Sequence, residues 1–284
     1  MKKVLLILLS VFAALCFVIL FSAWWVHRPL PTSKRSAQAD QLAHAMQRAI
    51  DIQAWKRTGA IRWIFRDRHH HLWDRQRHYS QVRWKSGSNT IVAQLNLGSL
   101  ARPNTPNGMA KINQRELHGQ DLQEILTKAY QYWCNDSYWL NPIEKVFDKG
   151  VSRRIVQDGA KTMLMISFSK GGVTPGDRYL YTLNAQGLPL SWRMWVSILP
   201  VGGVYASFSG WKTLSTGARV STKHKIGPLT LTLKQVQAAK NIHKLVGQDP
   251  FSWLEGKPRK TMKHTSTKRK VSTRPTSKKG RSGP

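Results

Sequence analysis

The chain has 284 residues, a net charge of +31 and a pI near 10.8, so anionic partners such as phospholipid headgroups, acidic glycans and nucleic acids are favoured. Of its 45 lysines and arginines, 11 lie in residues 256–284, which contain no acidic residue. The remaining basic residues still outnumber the 14 acidic ones, so the charge is not confined to the tail. The two cysteines exclude a fold held by several disulfide bonds.

The first element is an apolar stretch, Val4–Val26, that contains no charged residue. At about 1.5 Å per residue, a helix of this length crosses the roughly 30 Å hydrocarbon core of a bilayer. It is longer than the apolar core of a cleaved signal and lacks a clear small-x-small cleavage site. We therefore predict a single-pass inner-membrane anchor over residues 1–27, with the body in the periplasm. The alternatives are a cleaved signal and lipidation at Cys16.

The region after a short proline-containing linker, residues 28–35, begins with helical and then strand-like periodicity. Apolar residues recur every three or four positions from Ser36 to Lys56, which predicts an amphipathic helix. The period then becomes two in short segments rich in aromatic and β-branched residues. These predicted strands are Ala60–Arg66, His70–Trp73, Tyr79–Lys85 and Thr90–Leu97.

The middle of the chain is predicted to contain a loop over residues 98–111 and a helix over Gln120–Trp133, which ends at the polar segment Asn135–Pro142. Asp158-Gly159 and Asn184–Gly187 have the composition of hairpin turns. A closing helix over Gln235–Val246 is also predicted. The predicted strands of this half are Val151–Gln157, Lys161–Ser169, Arg178–Asn184, Leu188–Ile198, Val204–Trp211 and Leu229–Leu233.

This order of elements predicts the fold class and the domain limits. Helix, strands, helix and many strands indicate an α+β domain over residues 36–255, with a curved, largely antiparallel sheet packed on one or more helices. Residues 256–284 are basic and almost free of apolar residues, which predicts a disordered tail.

The aromatic residues suggest where a ligand would bind. Twelve tryptophans are many for this length, and tryptophan is rarely fully buried. A sheet carrying so many large rings predicts an apolar cavity with a basic rim, suited to an acyl chain with an anionic head. The alternative is a large conventional core with aromatic cross-strand pairs. The residues predicted to line the cavity are Trp63, Phe65, Trp84, Trp192 and Trp195.

The stretch Pro175–Trp192, PGDRYLYTLNAQGLPLSW, resembles a hairpin of the half-barrel family of periplasmic lipoprotein carriers, the outer-membrane lipoprotein-sorting fold. The resemblance extends over roughly Ser36 to Val236. It implies a half-barrel whose cavity binds acyl chains without catalysis. A retained anchor and a basic tail are not part of the family pattern, so we expect the fold and an apolar ligand, but not shuttling.

A histidine-rich segment is the main candidate for metal chemistry. His69 and His71 would share one face of a strand and reach one Zn²⁺ together with Asp67 or a residue of a neighbouring strand. No HExxH or CxxC motif accompanies them, so solvated or packed histidines are favoured and no cofactor is predicted. The lone Cys134 of the body is predicted to be a core or partly buried residue, not a nucleophile.

Catalytic signals are sparse, because the chain has no GxSxG motif and no clear pair of carboxylates. The leading hypothesis is therefore a membrane-anchored, non-enzymatic protein that binds a lipid or another hydrophobic ligand in an extracytoplasmic cavity. The tail would hold anionic headgroups or envelope polymers. The alternatives are a nucleic-acid or acidic-polymer binding protein that uses the tail, and a hydrolase or metal-dependent enzyme that uses the His69–His78 region.

Overall fold

The computed structural model describes residues 26–102, 105–170 and 174–255, with a few positions between residues 3 and 17. Among these residues, no helix is long and apolar enough to cross a membrane. Most of the predicted anchor and all of the predicted tail lie outside the described residues, so both stay predictions.

The helices of the body are α1 (Ala37–Ala49), α2 (Ile52–Arg57), α3 (Gly119–Leu140) and α4 (Ile242–Val246), and a 3-10 turn follows α3 at Pro142–Lys145. The single helix predicted over Ser36–Lys56 is wrong in one respect, because the chain breaks at Asp51. This residue has a φ of 50°, and its carboxylate accepts a hydrogen bond from the Ala54 N–H at 2.9 Å. Asp51 thereby caps α2 and separates it from α1.

The strands account for most of the remaining chain. Their bounds are β1 (Ala60–Phe65), β2 (His69–Asp74), β3 (Tyr79–Ser86), β4 (Asn89–Arg102), β5 (Thr105–Ile112), β6 (Arg115–Glu116), β7 (Val151–Asp158), β8 (Lys161–Phe168), β9 (Arg178–Leu183), β10 (Pro189–Trp195), β11 (Val204–Ser207), β12 (Lys212–Thr213), β13 (Arg219–Val220), β14 (Lys223–Ile226) and β15 (Leu229–Ala239).

Two antiparallel sheets organise these strands. The first has eight strands in the order β14-β15-β1-β2-β3-β4-β5-β6, and the second has five in the order β11-β10-β9-β8-β7. The strands β12 and β13 form a separate pair. Neither large sheet closes on itself. The predicted α+β class with a largely antiparallel sheet is thereby confirmed.

Two of the predicted elements differ from the structure. The predicted loop over residues 98–111 is mostly the end of β4 and the start of β5, joined across an irregular register. At Gly108 the backbone of β5 lies close to α3, because a Cβ atom added to this glycine would lie 2.8 Å from the Leu126 side chain. The predicted helix Gln235–Val246 is wrong over its first half, since β15 continues through a bulge at Gln235 to Ala239.

Both predicted hairpin turns are confirmed. The β7–β8 hairpin closes with Asp158 opposite Lys161, and Gly159 between them has a φ of 57°. In the β9–β10 hairpin the Asn184 side-chain oxygen accepts hydrogen bonds from the N–H groups of Gln186 and Leu188 at 3.0 and 2.8 Å. These side-chain bonds fix the turn within the stretch that carries the family resemblance.

The main core lies between the two sheets, where it also includes α1, α2 and the end of α3. Trp63, Trp192 and Tyr181 are enclosed almost completely there, with at most 1% of each residue exposed. A second cluster packs the first half of α3 against β3, β4 and β5, around Trp84 and Leu126. Helix α3 therefore contacts both clusters and positions polar residues between them.

Residues 28–35, predicted as a linker, are hydrogen-bonded to the second sheet. Lys34 and Ile155 exchange two backbone hydrogen bonds of 2.9 Å. The Arg28 N–H donates to the Gly202 carbonyl at 2.9 Å, and the Trp195 indole N–H donates to the Arg28 carbonyl at 2.8 Å. The segment is therefore fixed to the body at both of its ends.

Candidate metal centre

Strand β2 divides its three consecutive histidines between two faces of the first sheet. His69 and His71 face inward toward α3, whereas His70 faces outward, as the period of two requires. The strand lies between β1 and β3 and pairs with both along its length. The backbone of β2 thus fixes the direction in which each imidazole points.

Helix α3 supplies the third member of the cluster. The Asp136 Oδ2 atom accepts hydrogen bonds from His69 Nδ1–H at 2.7 Å and from His71 Nε2–H at 2.6 Å. The other carboxylate oxygen, Oδ1, accepts one from the Asn135 side chain at 2.8 Å. The side chains of His71 and Asp136 are 0% and 1% exposed, and that of His69 is 16% exposed. The cluster is therefore buried, with His69 on its accessible side.

Aromatic rings enclose these three side chains. The Trp63 ring stacks on His71 at 4.4 Å between centroids, with an interplanar angle of 9°. The Tyr132 ring stacks on His69 at 3.9 Å, and Trp84 contacts Tyr132 edge-on at 5.5 Å between centroids. These contacts restrict the rotation of both imidazoles and keep water away from His71.

Burial and hydrogen bonding set the protonation states at the centre. Burial lowers the pKa of His71, although its bond to Asp136 acts in the opposite direction. Burial alone would raise the pKa of Asp136, but the hydrogen bonds from His69 and His71 hold it below its usual value. The centre therefore presents an ionised carboxylate beside a neutral imidazole at neutral pH.

Two nitrogens and one oxygen that converge in this way form a donor set for a metal ion. The atoms that could serve as ligands lie within 4.8 Å of one another. Zinc bonds of about 2.0–2.2 Å place neighbouring tetrahedral ligands roughly 3.3 Å apart. Loading would therefore move the proton of each of these two nitrogens to the other nitrogen of the same neutral imidazole ring, and it would lengthen the present hydrogen-bond distances by roughly 0.6–0.7 Å.

The five aromatic residues predicted to line a cavity do not converge on one space. Trp63 and Trp84 flank the candidate centre, and the Phe65 ring lies 6.2 Å from that of His69. Trp192 packs against Tyr179 and Phe208 in another part of the main core. Trp195 is three residues further along β10 and so lies on the opposite face, beside Met165 and Leu180.

The other predicted ligand, Asp67, lies away from the centre. Its exposed carboxylate accepts a hydrogen bond from Lys234 at 2.7 Å. Cys134 is mostly enclosed, and burial raises the pKa of its thiol to about 11. A thiol in that state is a poor nucleophile, in agreement with the predicted core role.

Sequence reasoning missed both residues that α3 contributes, Tyr132 and Asp136. Their spacing of four places them on one face of a helix, which is a usable signal. Because Asn, Asp and Ser favour caps and turns, the sequence predicts that the helix ends before Asn135. With Asp136 outside the predicted helix, its shared face with Tyr132 is not recognised. In the structure the helix continues, since Asp136 finds its hydrogen-bond partners on β2.

No protein-family model, curated protein or solved structure matches this chain. The function is therefore argued from the chemistry of the site itself.

Proposed function

We propose that the protein binds one divalent transition-metal ion of the zinc class through His69 Nδ1, His71 Nε2 and Asp136 Oδ2. The supporting observation is the convergence of two imidazole nitrogens from β2 and one carboxylate oxygen from α3 in a buried, aromatic-walled space. Two histidines and one carboxylate are a common donor set for Zn²⁺, and three protein ligands leave one coordination position for water or a further ligand.

A metal ion also compensates the charge of the buried carboxylate. An ionised carboxylate in an apolar environment is strongly unfavourable unless it is paired with a cation. Asp136 is almost completely buried, and burial disfavours the imidazolium form of His71. A divalent cation held by the lone pairs of two neutral imidazoles, whose protons move to the other ring nitrogens, adds positive charge beside the carboxylate and so supports the proposal.

The test is a metal titration of the purified full chain in a non-ionic detergent after treatment with a chelator. We expect one Zn²⁺ per chain, and Co²⁺ in the same site should give the visible absorption of a low-symmetry, four-coordinate ion. His69→Gln should weaken Zn²⁺ by at least about tenfold, because it removes one ligand. Replacement of the exposed His78 by Gln is the matched control. Equal affinity in wild type and His69→Gln would contradict the proposal.

We propose that this centre belongs to a protein attached to the inner membrane by a helix over Val4–Val26, with the body in the periplasm. The proposal is supported by the length and uncharged composition of the stretch. Alkaline extraction of membranes that contain the full chain checks the attachment. An integral protein stays with the membrane pellet, whereas release into the supernatant would exclude the anchor.

A second candidate function is the binding of a hydrophobic ligand by a half-barrel. Its support is a contact between the edges of the two sheets, where Ser209, two residues after β11, forms an isolated β-bridge with Lys223 of β14. If this contact joins the sheets, thirteen strands form one curved surface around α1 and α3. Organic extraction of the purified full chain, followed by mass spectrometry, checks this candidate. A stoichiometric lipid would support it, whereas lipid at the level of a detergent blank would count against it.

A further inference from the structure

The outer face of the first sheet carries a cleft of about 290 Å³, on the opposite side of β2 from the metal centre. Its floor includes Ile64 of β1 and Leu72 of β2, and Val246 of α4 contributes one side. Leu72 and Val246 also pack against the cluster around Ile242 and Phe251, by which the C-terminal segment covers part of this face. The cleft therefore has an apolar base and one fixed wall.

Positively charged and polar side chains surround this base. Arg62 and Arg83 are exposed and line the cleft together with His70, and none of the described residues that line it is acidic. Within the described part of the chain, neither arginine has a carboxylate within salt-bridge distance. The cleft therefore concentrates positive charge that the described residues do not neutralise.

The acidic residues nearest in sequence are already engaged. Asp67 accepts from Lys234, and Asp74 accepts from Arg77, each at 2.7 Å. They are therefore held by other cations and do not supply the missing anion.

The β-pairing holds the cationic groups at fixed positions. His70 lies opposite Arg83 on β3, and Arg62 lies opposite Leu72 on β2. The Arg62 Nε–H donates to the Gln237 side chain at 2.7 Å, which leaves the terminal nitrogens of the guanidinium for a ligand. Arg83 Nη2 is 3.5 Å from His70 Nδ1, a weak contact that a stronger acceptor would replace.

Gln81 adds a neutral donor to the same cleft. Its side-chain oxygen accepts from Gln94 Nε2 at 2.9 Å, and Gln94 in turn donates to the Pro250 carbonyl at 2.8 Å. With the oxygen engaged, the NH₂ group of Gln81 remains as a donor. The cleft thus offers two guanidinium groups and an amide for one acceptor-rich ligand.

We propose that this cleft binds a phosphate group through Arg62 and Arg83, with an apolar substituent of the phosphate lying on Ile64, Leu72 and Val246. Guanidinium groups match the paired oxygens of phosphate with two parallel hydrogen bonds each. The volume lies near the lower limit of small-molecule sites, so it suits a phosphate monoester with a short apolar portion. Such a group comes either from a lipid headgroup or from a soluble phosphate. The inference does not depend on the metal centre.

The test uses the full chain in a non-ionic detergent and isothermal titration calorimetry with two probes, inorganic phosphate and monobutyl phosphate. We expect saturable binding of both. Monobutyl phosphate should bind more tightly by about fourfold for each CH₂ group buried on the apolar base. Arg62→Gln with Arg83→Gln should reduce the affinity for either probe by at least about tenfold, since charge-assisted bonds are lost.

A matched double variant separates this site from general attraction to a basic protein. Arg48→Gln with Arg178→Gln removes the same charge from two exposed arginines elsewhere, and it should leave the affinity unchanged. Selective loss in the cleft variant supports the proposal. Tighter binding of monobutyl phosphate supports the apolar contact, whereas equal binding of the two probes would overturn it. Detergent micelles that contain a phosphomonoester lipid serve as a third probe: binding that the cleft variant loses points to a lipid source, and no binding points to a soluble phosphate. Absence of saturable binding, or equal loss in both double variants, would overturn the proposal.

Discussion

Two buried histidines of this protein have similar surroundings but different partners. His71 stacks on Trp63 and bonds to a carboxylate of α3. His224, on β14, lies beside Trp139, and its Nδ1–H donates to the Ser207 carbonyl at 3.0 Å. Burial lowers the pKa of both imidazoles, in the case of His224 to about 4. Burial alone therefore does not distinguish a ligand from a structural residue.

The partner makes the difference between the two. The backbone carbonyl of Ser207 on β11 fixes the tautomer and position of His224, but it brings no negative charge. The Asp136 carboxylate brings a charge and a second donor atom, and it also holds His69. His71 therefore has two neighbouring side chains with which it could share a metal ion, whereas His224 has no second ligand among the described residues that could share an ion with it.

The largest effect is expected from Asp136→Asn. We expect it to weaken Zn²⁺ by more than about 100-fold, because even partners outside the ligand shell change metal affinity by about 10–100-fold. The measurement is a competition titration against a chromophoric chelator. His224→Phe removes the other buried histidine and should leave the affinity unchanged. Equal weakening in both variants would show that the effect arises from damage to the fold.

Zinc should also stabilise the wild-type fold. At a free concentration of about 100 times its dissociation constant, a ligand that binds only the folded state adds about 2.7 kcal/mol to the free energy of unfolding. Urea unfolding with and without Zn²⁺ measures this gain. The gain should disappear in Asp136→Asn at the same concentration. A similar gain in that variant would place the bound metal at another site.

The stability should depend on pH through His224 in a defined direction. Because its pKa in the folded state is about 4, against 6.5 in the unfolded chain, the unfolded state takes up the proton first. Stability from this residue is therefore complete above about pH 6.5 and is lost as the pH falls toward 4. When the pH is lowered from 7.5 to 4.5, the free energy of unfolding should fall by about 2.5 kcal/mol less in His224→Phe than in the wild type. Urea unfolding at the two pH values measures this difference. An equal fall in the free energy of unfolding of the two proteins would contradict this.

The smallest effect is expected from His70→Gln. A strand turns consecutive side chains to opposite faces, so this variant should change the Zn²⁺ affinity by less than about twofold. The same competition titration measures it. His70 lies between the two proposed ligands in sequence. A large loss of Zn²⁺ affinity would therefore show that, in solution, β2 does not turn His70 to the face opposite His69 and His71.

Part of this centre was accessible from the sequence and part was not. The alternation in the segment around residue 70 correctly places His69 and His71 on one face, because a strand period is a local property. Asp136 is 65 residues away from His71 along the chain, and only the packing of α3 on the sheet brings the two together. No local pattern encodes that contact.

The differences in fold have similar causes. Glycine, asparagine and proline in residues 98–111 predict a loop. In the structure most of these residues belong to β4 and β5, which pair with an irregular register and pack closely against α3. The bulge at Gln235 shifts the alternation of β15, so residues after it no longer follow the period of those before it. In both places tertiary contacts outweigh local preference.

The fastening of residues 28–34 has a mechanical consequence if the preceding residues lie in a membrane. Arg28 is only two residues beyond Val26, and an extended chain covers at most about 3.6 Å per residue. The connection from Val26 to Arg28 is therefore at most about 7 Å long. The end of the body that carries β10 and β11 would stay within this distance of the point where the chain leaves the membrane. The exposed Ile198, 70% accessible, lies on the connection between these strands and so belongs to the part of the body that would stay near the membrane. The short connection from Val26 to Arg28 would therefore limit how far the body can move away from the membrane.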